Sequence, residues 1–372
     1  MAMFSVNNTL PNAIHYSPAD TSATQSAPIA ETHAGSSSEL NITLLKELIA
    51  QMEAPNRADK LDGIRATLNQ YGLDTSAEDF NNSKLRTALE HLKTTNDRAQ
   101  PSDDVAEMLA NQKQQVKNTA LALADIQREV ATNRTKANYS VSQFMADKEK
   151  AVQEAAPEDS NKRDEISIHT SYAELWARMA LAIKNIKGDY VDFYADLMQK
   201  YTEMYKAYNT DVQGAAAEAV ASGDDGNNVK FDTTKMNQGY TDFETEVKNI
   251  ALALGSVKNW DQMTLEQRKS MVTTLEPAFK VDGSGKIEFN LDQYNAAPRN
   301  PSGMNGDKVS TASYQAWLAS FNGGASALQG NMQSFAQRYT QANSTFDNLN
   351  KVLSGAIASL AESAKDVIKA FG

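Results

Sequence analysis

The sequence predicts a mainly α-helical, elongated protein that carries a small α+β insertion. Two long segments, residues 171–208 and 326–371, place apolar side chains at steps of three and four residues, which is the spacing of a coiled-coil seam. A stretch of mixed helical and strand character separates them, and further amphipathic helical patterns precede them. We therefore expect a long central antiparallel coiled coil, an N-terminal helical hairpin, and a mixed α/β domain between the coiled-coil helices.

Residues 1–39 form the first predicted region, which is rich in Ser, Thr, Asn, Ala and Pro. The first basic residue is Lys46, so the positive charge and the continuous apolar run of a Sec-type signal peptide are both missing. This composition cannot bury enough apolar surface to fold alone. We interpret the region as disordered; it is either a simple flexible tail or the secretion signal of a non-Sec pathway.

Residues 40–155 are predicted to form the N-terminal helical hairpin. Short amphipathic stretches come first, with apolar faces that include Leu48 and Leu61. A much longer helix follows Pro101 and keeps three- and four-residue steps almost to the end of the region. The charged segment at residues 154–163 is typical of a linker.

The helix predicted at residues 171–208 has the strongest periodicity in the chain. Its steps of three and four residues contain one slip, at Leu197–Tyr201, where we expect the seam to loosen. Tyr194 and Tyr205 lie beside the seam and are expected to face the inserted domain or a neighbouring subunit. The residues assigned to the coiled-coil core are Trp176, Ile183, Tyr190, Leu197 and Tyr201.

The helix predicted at residues 326–371 supplies the other half of the seam. Its apolar stripe continues to the C-terminus, and few Glu–Lys pairs lie on the remaining faces, which therefore suit packing better than solvent. The core residues assigned to this helix are Tyr339, Phe346, Leu349 and Leu353.

The inserted domain is placed at residues 209–313. Residues 229–232 alternate as in a strand, and Thr233 is expected to cap the helix that follows. Thr264 begins the capping-box pattern TLEQ of a second helix. Apolar residues on both sides of Gly283–Gly285 predict a β-hairpin.

The composition argues against several functions. The chain has 372 residues, a net charge of −11 and no cysteine, which disfavours nucleic acid as a partner and removes thiolate chemistry. No apolar run approaches the ~18–20 residues of a membrane span. The segment around Asp282 resembles the centre of a calcium-binding EF-hand loop, but Lys280 and Leu291 stand where its first and last ligands belong. We predict no catalytic residues, no cofactor and no metal.

Several segments carry a resemblance to a known family. They are ELW at 174–176, YTEMY at 201–205, DGNNVK at 225–230, YQAW at 314–317, QRYTQANS at 337–344 and DNLNKVLS at 347–354. Together they resemble the needle-tip proteins of type III secretion systems, the hydrophilic translocators of the IpaD/SipD/BipD type. The resemblance covers residues 174 to about 360 and is weaker toward the N-terminus.

The resemblance implies a needle-tip cap that controls secretion and serves as a platform for the hydrophobic translocators on host contact. It implies a ring of the chain with itself, a pentamer, on the needle subunit, and an N-terminal hairpin that acts as a self-chaperone. The protein would be cytoplasmic before secretion and then lie on the bacterial surface at the needle tip. Some members sense bile salts, so bile salts and the host membrane surface are further candidate partners.

The needle and oligomer contacts are expected along the second long helix. The residues proposed for them, as exposed positions, are Asn343, Asp347, Asn348, Lys351, Ser354 and Phe371. Two alternative functions stay open: a secreted effector that binds a host protein through its middle domain, and a flagellin-like filament subunit.

Overall fold

The computed structural model describes residues 37–53, 60–71, 82–97, 105–154, 172–223 and 227–371. The helices are α1 (Ser37–Glu53), α2 (Lys60–Gln70), α3 (Ser83–Asp97), α4 (Val105–Glu154), α5 (Tyr172–Ile186), α6 (Phe193–Ala207), α7 (Gly214–Ala219), α8 (Thr233–Leu252), α9 (Leu265–Leu275), α10 (Asp292–Ala296) and α11 (Thr311–Phe371). The strands are β1 (Val220–Ser222), β2 (Asn228–Phe231), β3 (Phe279–Val281), β4 (Ile287–Phe289) and β5 (Lys308–Ser310). Except for its last three residues, the predicted secretion-signal region lies outside the described residues.

A spine of two antiparallel helical rods organises the molecule. The first rod runs over residues 172–219, where π-helical turns at Lys187–Asp192 and Tyr208–Gln213 join α5, α6 and α7. The second rod is α11. The Tyr201 hydroxyl donates to the carbonyl oxygen of Leu328 at 3.1 Å, and the Tyr205 hydroxyl donates to that of Ala325 at 3.5 Å. As residue numbers rise along the first rod, the numbers of the bonded residues in α11 fall, so the two rods are antiparallel, as predicted.

The loosening of the seam predicted at Leu197–Tyr201 is wrong, because both side chains are buried and α6 is regular α-helix throughout that segment. The irregular turns are the two π-helical turns that flank α6. Each inserts an extra residue into a turn of the helix and rotates the side chains that follow. The first rod therefore departs from regular α-helix at the two ends of α6.

Both spine helices extend further than the sequence indicated. The first continues past Tyr208 through the second π-turn to Ala219, and α11 begins at Thr311. Tyr314, Trp317 and Phe321 continue the apolar stripe of α11 toward its N-terminus and are buried. Helix α11 also passes through Gly324, where an added Cβ atom would lie at ordinary contact distance, 3.8 Å from the Ala297 Cβ atom, so packing does not require glycine there. The helix continues despite the weak helix propensity of glycine.

The N-terminal cover, which we define as α1–α4, packs along the spine. The ring of Phe144 in α4 lies 4.6 Å from that of Trp176 in α5, and the Asn209 side-chain amide donates to the carbonyl oxygen of Val116 at 3.0 Å. These pairs show that α4 runs antiparallel to the first rod. Helices α1, α2 and α3 contact α11.

The mixed domain lies between the two rods in sequence and packs on both: its helix α8 contacts α6 and α7 of the first rod, and its helix α10 contacts α11. Strand β2 pairs antiparallel with both β1 and β5, and β3 pairs with β4 as a separate hairpin. Helix α8 is capped by Asp232, whose carboxylate accepts from the backbone N–H groups of Thr234 and Lys235, so the cap expected at Thr233 is one residue off. The capping box at Thr264 is present.

Candidate interaction surface

Residues 339–354 of α11, which we call the docking stretch, contain the block that most resembles the needle-tip family. Tyr339, Phe346, Leu349 and Leu353 are fully buried there. In this conformation the burial comes partly from the N-terminal cover, whose helices α1–α4 all contact α11. The apolar stripe of the docking stretch is thus occupied within the chain.

A cluster of amides connects the cover to the docking stretch. Asn82, the residue before α3, donates from its side chain to the Ser344 hydroxyl at 3.3 Å. Its side-chain oxygen accepts from the amides of Asn133 in α4 at 3.0 Å and of Asn343 in α11 at 3.5 Å. The Tyr339 hydroxyl, one turn earlier, donates to the carbonyl oxygen of Val130 at 3.5 Å. Three separate helical elements therefore share one buried polar site.

The exposure expected for Asn343 is wrong in this conformation. Its side chain is 3% exposed, and its amide donates to the side-chain oxygen of Asn82, the same atom that accepts from Asn133. The sequence carries a signal for Asn133 that we missed: this residue occupies a core position, three residues after Val130 and four before Ala137. Asn82 carries no comparable signal, since it precedes a helix without any periodic context.

The other proposed contact residues lie toward the outside of the docking stretch. Lys351 and Ser354 are exposed, whereas Asp347 and Asn348 are half-buried. Phe371 is the last residue of α11, and its side chain lies outside the described residues. The structure therefore brings Asp347, Asn348, Lys351 and Ser354 together on one helix as a polar border to a buried apolar stripe.

The nine residues assigned to the coiled-coil core are all buried. They do not all face the same partner. Trp176 packs on Phe144 of the cover, whereas Tyr201 reaches both α11, through its hydroxyl, and the mixed domain, where its ring lies edge-on to Phe279 with centroids 5.6 Å apart. The seam of the first rod thus touches three parts of the molecule.

Tyrosines of the first rod attach it to α11 and the mixed domain. Tyr194 and Tyr205, which we expected to face the inserted domain or a neighbouring subunit, are instead buried against α11: the Tyr194 ring lies 6.1 Å from that of Phe335, and the Tyr205 hydroxyl donates to the carbonyl oxygen of Ala325. Tyr208 packs edge-on against Phe243 of α8 at 5.6 Å. Burial raises the pKa of the Tyr208 hydroxyl well above its usual value. These rings pack inside the protein and do not line an open groove.

Charged groups converge on the first π-turn. The Lys187 ammonium pairs with Asp192 at 2.6 Å, and Lys258 of the mixed domain pairs with Asp189 at 3.1 Å. Lys60 of the cover is buried and donates to the Met52 carbonyl oxygen. Burial lowers the pKa of the Lys60 ammonium, and the nearby Asp189 carboxylate opposes that shift. The cover, the spine and the mixed domain are therefore electrostatically linked at one turn.

A small cleft beside this turn is lined mainly by apolar side chains, among them Tyr190, Phe193 and Met263, with Lys258 at its edge. Its volume is about 30 Å³.

The described residues show no site for metal chemistry and no membrane span. Within them, no group of three or more His, Asp or Glu side chains is placed to hold a metal ion. Asp282 instead organises a turn, since its carboxylate accepts from Ser284 and from the backbone N–H of Lys286. Among the same residues, no helix combines the length and the apolar character that crossing a bilayer requires.

Comparison with known proteins places this architecture in a family. A family profile described as type III secretion systems tip complex components matches residues 15–253 and 300–368, which is most of the chain. The chain is 30% identical over 198 residues to Invasin IpaD of Shigella dysenteriae, covering 52% of this chain and 60% of that protein. It is 28% identical over 218 residues to the cell invasion protein SipD of Salmonella typhimurium, covering 54% and 62%.

These alignments span less than two thirds of the length of either relative. Among solved structures, that of BipD from Burkholderia pseudomallei has 20% sequence identity and a TM-score of 0.48, and covers 81% of this chain and 98% of that chain. The family profile covers well over half of the sequence. This chain therefore belongs to the family of type III secretion system tip complex components.

Proposed function

We propose that this protein caps the needle of a type III secretion injectisome, where it controls secretion and serves as a platform for the hydrophobic translocators on host contact. In this role it is secreted, lies at the needle tip on the bacterial surface, and forms a ring with further copies of itself, a pentamer. Family membership supports the general role. The relatives named invasins and cell invasion proteins support a role at the host cell.

The observation that carries the proposal is the docking stretch. It combines a fully buried apolar stripe with a polar border that includes Lys351 and Ser354 on one long helix. An apolar core with a polar border is the usual composition of a protein–protein interface. Part of its partner surface is supplied here by the N-terminal cover, which we propose acts as a self-chaperone until the needle subunit or a neighbouring protomer replaces it.

The cover explains how such a surface can exist in a monomer. A helix stripe that exposed Tyr339, Phe346 and Leu349 would be an aggregation hazard before assembly. Packing the cover on it removes that surface from water. The polar cluster at Asn82 then joins the cover to the same residues that we propose for docking.

Deletion of residues 360–372 tests the docking proposal, in which the needle contact extends from the docking stretch to the end of α11 and includes Phe371. The deletion removes the end of α11 beyond the fully buried Leu353 and leaves the amide cluster intact. We expect the truncated protein to stay monomeric and soluble but to lose association with the cognate needle subunit in a pull-down. The control is Thr135→Val, on the exposed side of α4, which should bind normally. Normal needle association by the truncated chain would contradict the proposal.

A further inference from the structure

The inner face of α4 follows an unbroken heptad in which three core positions are polar. The stripe consists of Leu109, Gln112, Val116, Thr119, Leu123, Ile126, Val130, Asn133 and Ala137. Thr119 is 0% exposed and Asn133 is 1% exposed. Polar residues at core positions of a coiled coil fix one register at a cost in stability.

The spine presents polar side chains opposite the N-terminal half of this stripe. Asn209 and Gln213 are buried on the second π-turn, and Asn209 donates to the carbonyl oxygen of Val116. Because α4 and the first rod are antiparallel, the register places Gln112 one turn further along, toward Gln213. Residues of both helices therefore meet in polar layers.

These layers are incompletely hydrogen-bonded. In the part of the chain that the structure describes, buried oxygen atoms of Gln112, Thr119, Asn209 and Gln213 have no hydrogen-bond partner. A buried polar atom without a partner disfavours the packed state relative to the opened, hydrated one. Among the described residues, the C-terminal half of α4 has one such atom, the side-chain oxygen of Asn133, and there Phe144 packs on Trp176. The attachment of α4 to the spine is thus weaker in its N-terminal half.

We propose that the polar core positions of α4 keep the N-terminal cover releasable. They hold α4 in a single register on the spine while lowering the free energy needed to lift it, and lifting begins at the N-terminal half of α4. This inference rests on the proposed function in one respect, which is the reason for release: release of the cover uncovers the docking stretch.

Thr119→Val tests the inference with almost no change in side-chain shape. It removes the buried hydroxyl that lacks a partner and keeps helix propensity nearly constant. We expect hydrogen exchange at the amides of residues 110–125 to slow by about tenfold, which corresponds to ~1.4 kcal/mol. Gln112→Leu removes a second such oxygen and should slow exchange in the same way.

The matched control is Thr135→Val, which makes the same chemical change on the exposed side of α4. It should leave exchange at residues 110–125 unchanged. Unchanged or faster exchange in Thr119→Val, or an equal effect in both variants, would overturn the inference.

Association with the purified needle subunit separates this inference from the proposed function. If release precedes docking, Thr119→Val should associate about tenfold more slowly than the wild type, in proportion to its slower exchange. Slower exchange with an unchanged association rate would overturn the role assigned to release. If the wild type does not bind the needle subunit at all, the proposed function fails, whereas slower exchange in Thr119→Val still supports a releasable cover.

Discussion

Gly239 lies in the middle of α8, where that helix packs directly on the second π-turn of the first rod. A Cβ atom at this position would lie 2.3 Å from the carbonyl oxygen of Asp211 and 2.5 Å from the Cβ atom of Ala215. Ordinary contacts of this kind begin at 3.4 Å, so α8 would have to move outward by about 1 Å. Both neighbours belong to a helix, and neither can rotate away.

We expect Gly239→Ala to lower the free energy of unfolding by up to ~2 kcal/mol. Overpacking typically costs ~1–3 kcal/mol, and replacing glycine by alanine inside a helix recovers ~0.8–1.0 kcal/mol. The displaced helix also carries Phe243, whose ring packs against Tyr208. The loss should therefore appear as faster hydrogen exchange in both α8 and the second π-turn.

Gly330→Ala supplies the matched control. Gly330 lies on the exposed side of α11, and an added Cβ atom would meet no other atom within 4 Å. Only the gain in helix propensity remains, so this variant should be more stable by ~0.8–1.0 kcal/mol. Urea unfolding followed by circular dichroism should shift the two midpoints in opposite directions. A Gly239→Ala midpoint at or above that of the wild type would refute the reasoning.

Two further predictions concern carboxylates of the mixed domain and its border with the spine. Burial, and to a lesser extent repulsion from Asp242 and Glu246, raises the pKa of Asp211 above its usual 3.8. Protonated Asp211 therefore contributes its full stability below pH 3.8, and this contribution is lost as the pH rises through the raised pKa. Asp211→Asn should therefore stabilise the protein at pH 7, by less than ~1 kcal/mol because solvent screens the group, and the gain should disappear in urea titrations below pH 3.8. Hydrogen bonds from Ser284 and Lys286 lower the pKa of Asp282, so the stability it contributes is lost only as the pH falls below 3.8 through the lowered pKa. Asp282→Ala should speed hydrogen exchange in the β3–β4 hairpin at pH 7, and equal rates in both proteins would contradict its role in the turn.

The periodicity of the sequence was sufficient to predict the spine. Regular three- and four-residue steps place Ile183, Leu197, Phe346 and Leu349 on buried faces without reference to any partner, because a long amphipathic helix must cover its stripe. The capping box at Thr264 was equally local, since its hydrogen bonds join residues three apart. Features determined within a few helical turns were thus predictable.

Features that depend on distant segments were not predictable in the same way. Asn343 looks like an exposed contact in its own helix, but it is buried beside the cover and bonds to Asn82, 261 residues earlier. The two π-turns and the continuation of α11 through Gly324 were likewise not indicated by the periodicity. Polar side chains on a helix can face solvent or a buried partner, and the sequence of that helix alone does not distinguish the two.

The central claim is that the cover must leave the docking stretch before the protein can act at the needle tip. The chain contains no cysteine, so a single engineered pair can be oxidised without competing thiols. Asn82 and Ser344 belong to the cover and the docking stretch and are in direct contact, with 3.3 Å between the Asn82 amide nitrogen and the Ser344 hydroxyl oxygen. A disulfide needs Cβ atoms about 3.5–4.5 Å apart, so its formation is first verified by loss of free thiols on oxidation. The single variants Asn82→Cys and Ser344→Cys, treated with the same oxidant, are the controls.

The decisive measurement is association of the Asn82→Cys/Ser344→Cys protein with the purified needle subunit before and after reduction. We predict no association in the oxidised form, recovery to the level of the single variants after reduction, and no effect of oxidant on the single variants. Equal association of the oxidised and reduced double variant would contradict the claim that the covered stretch of α11 is the docking surface.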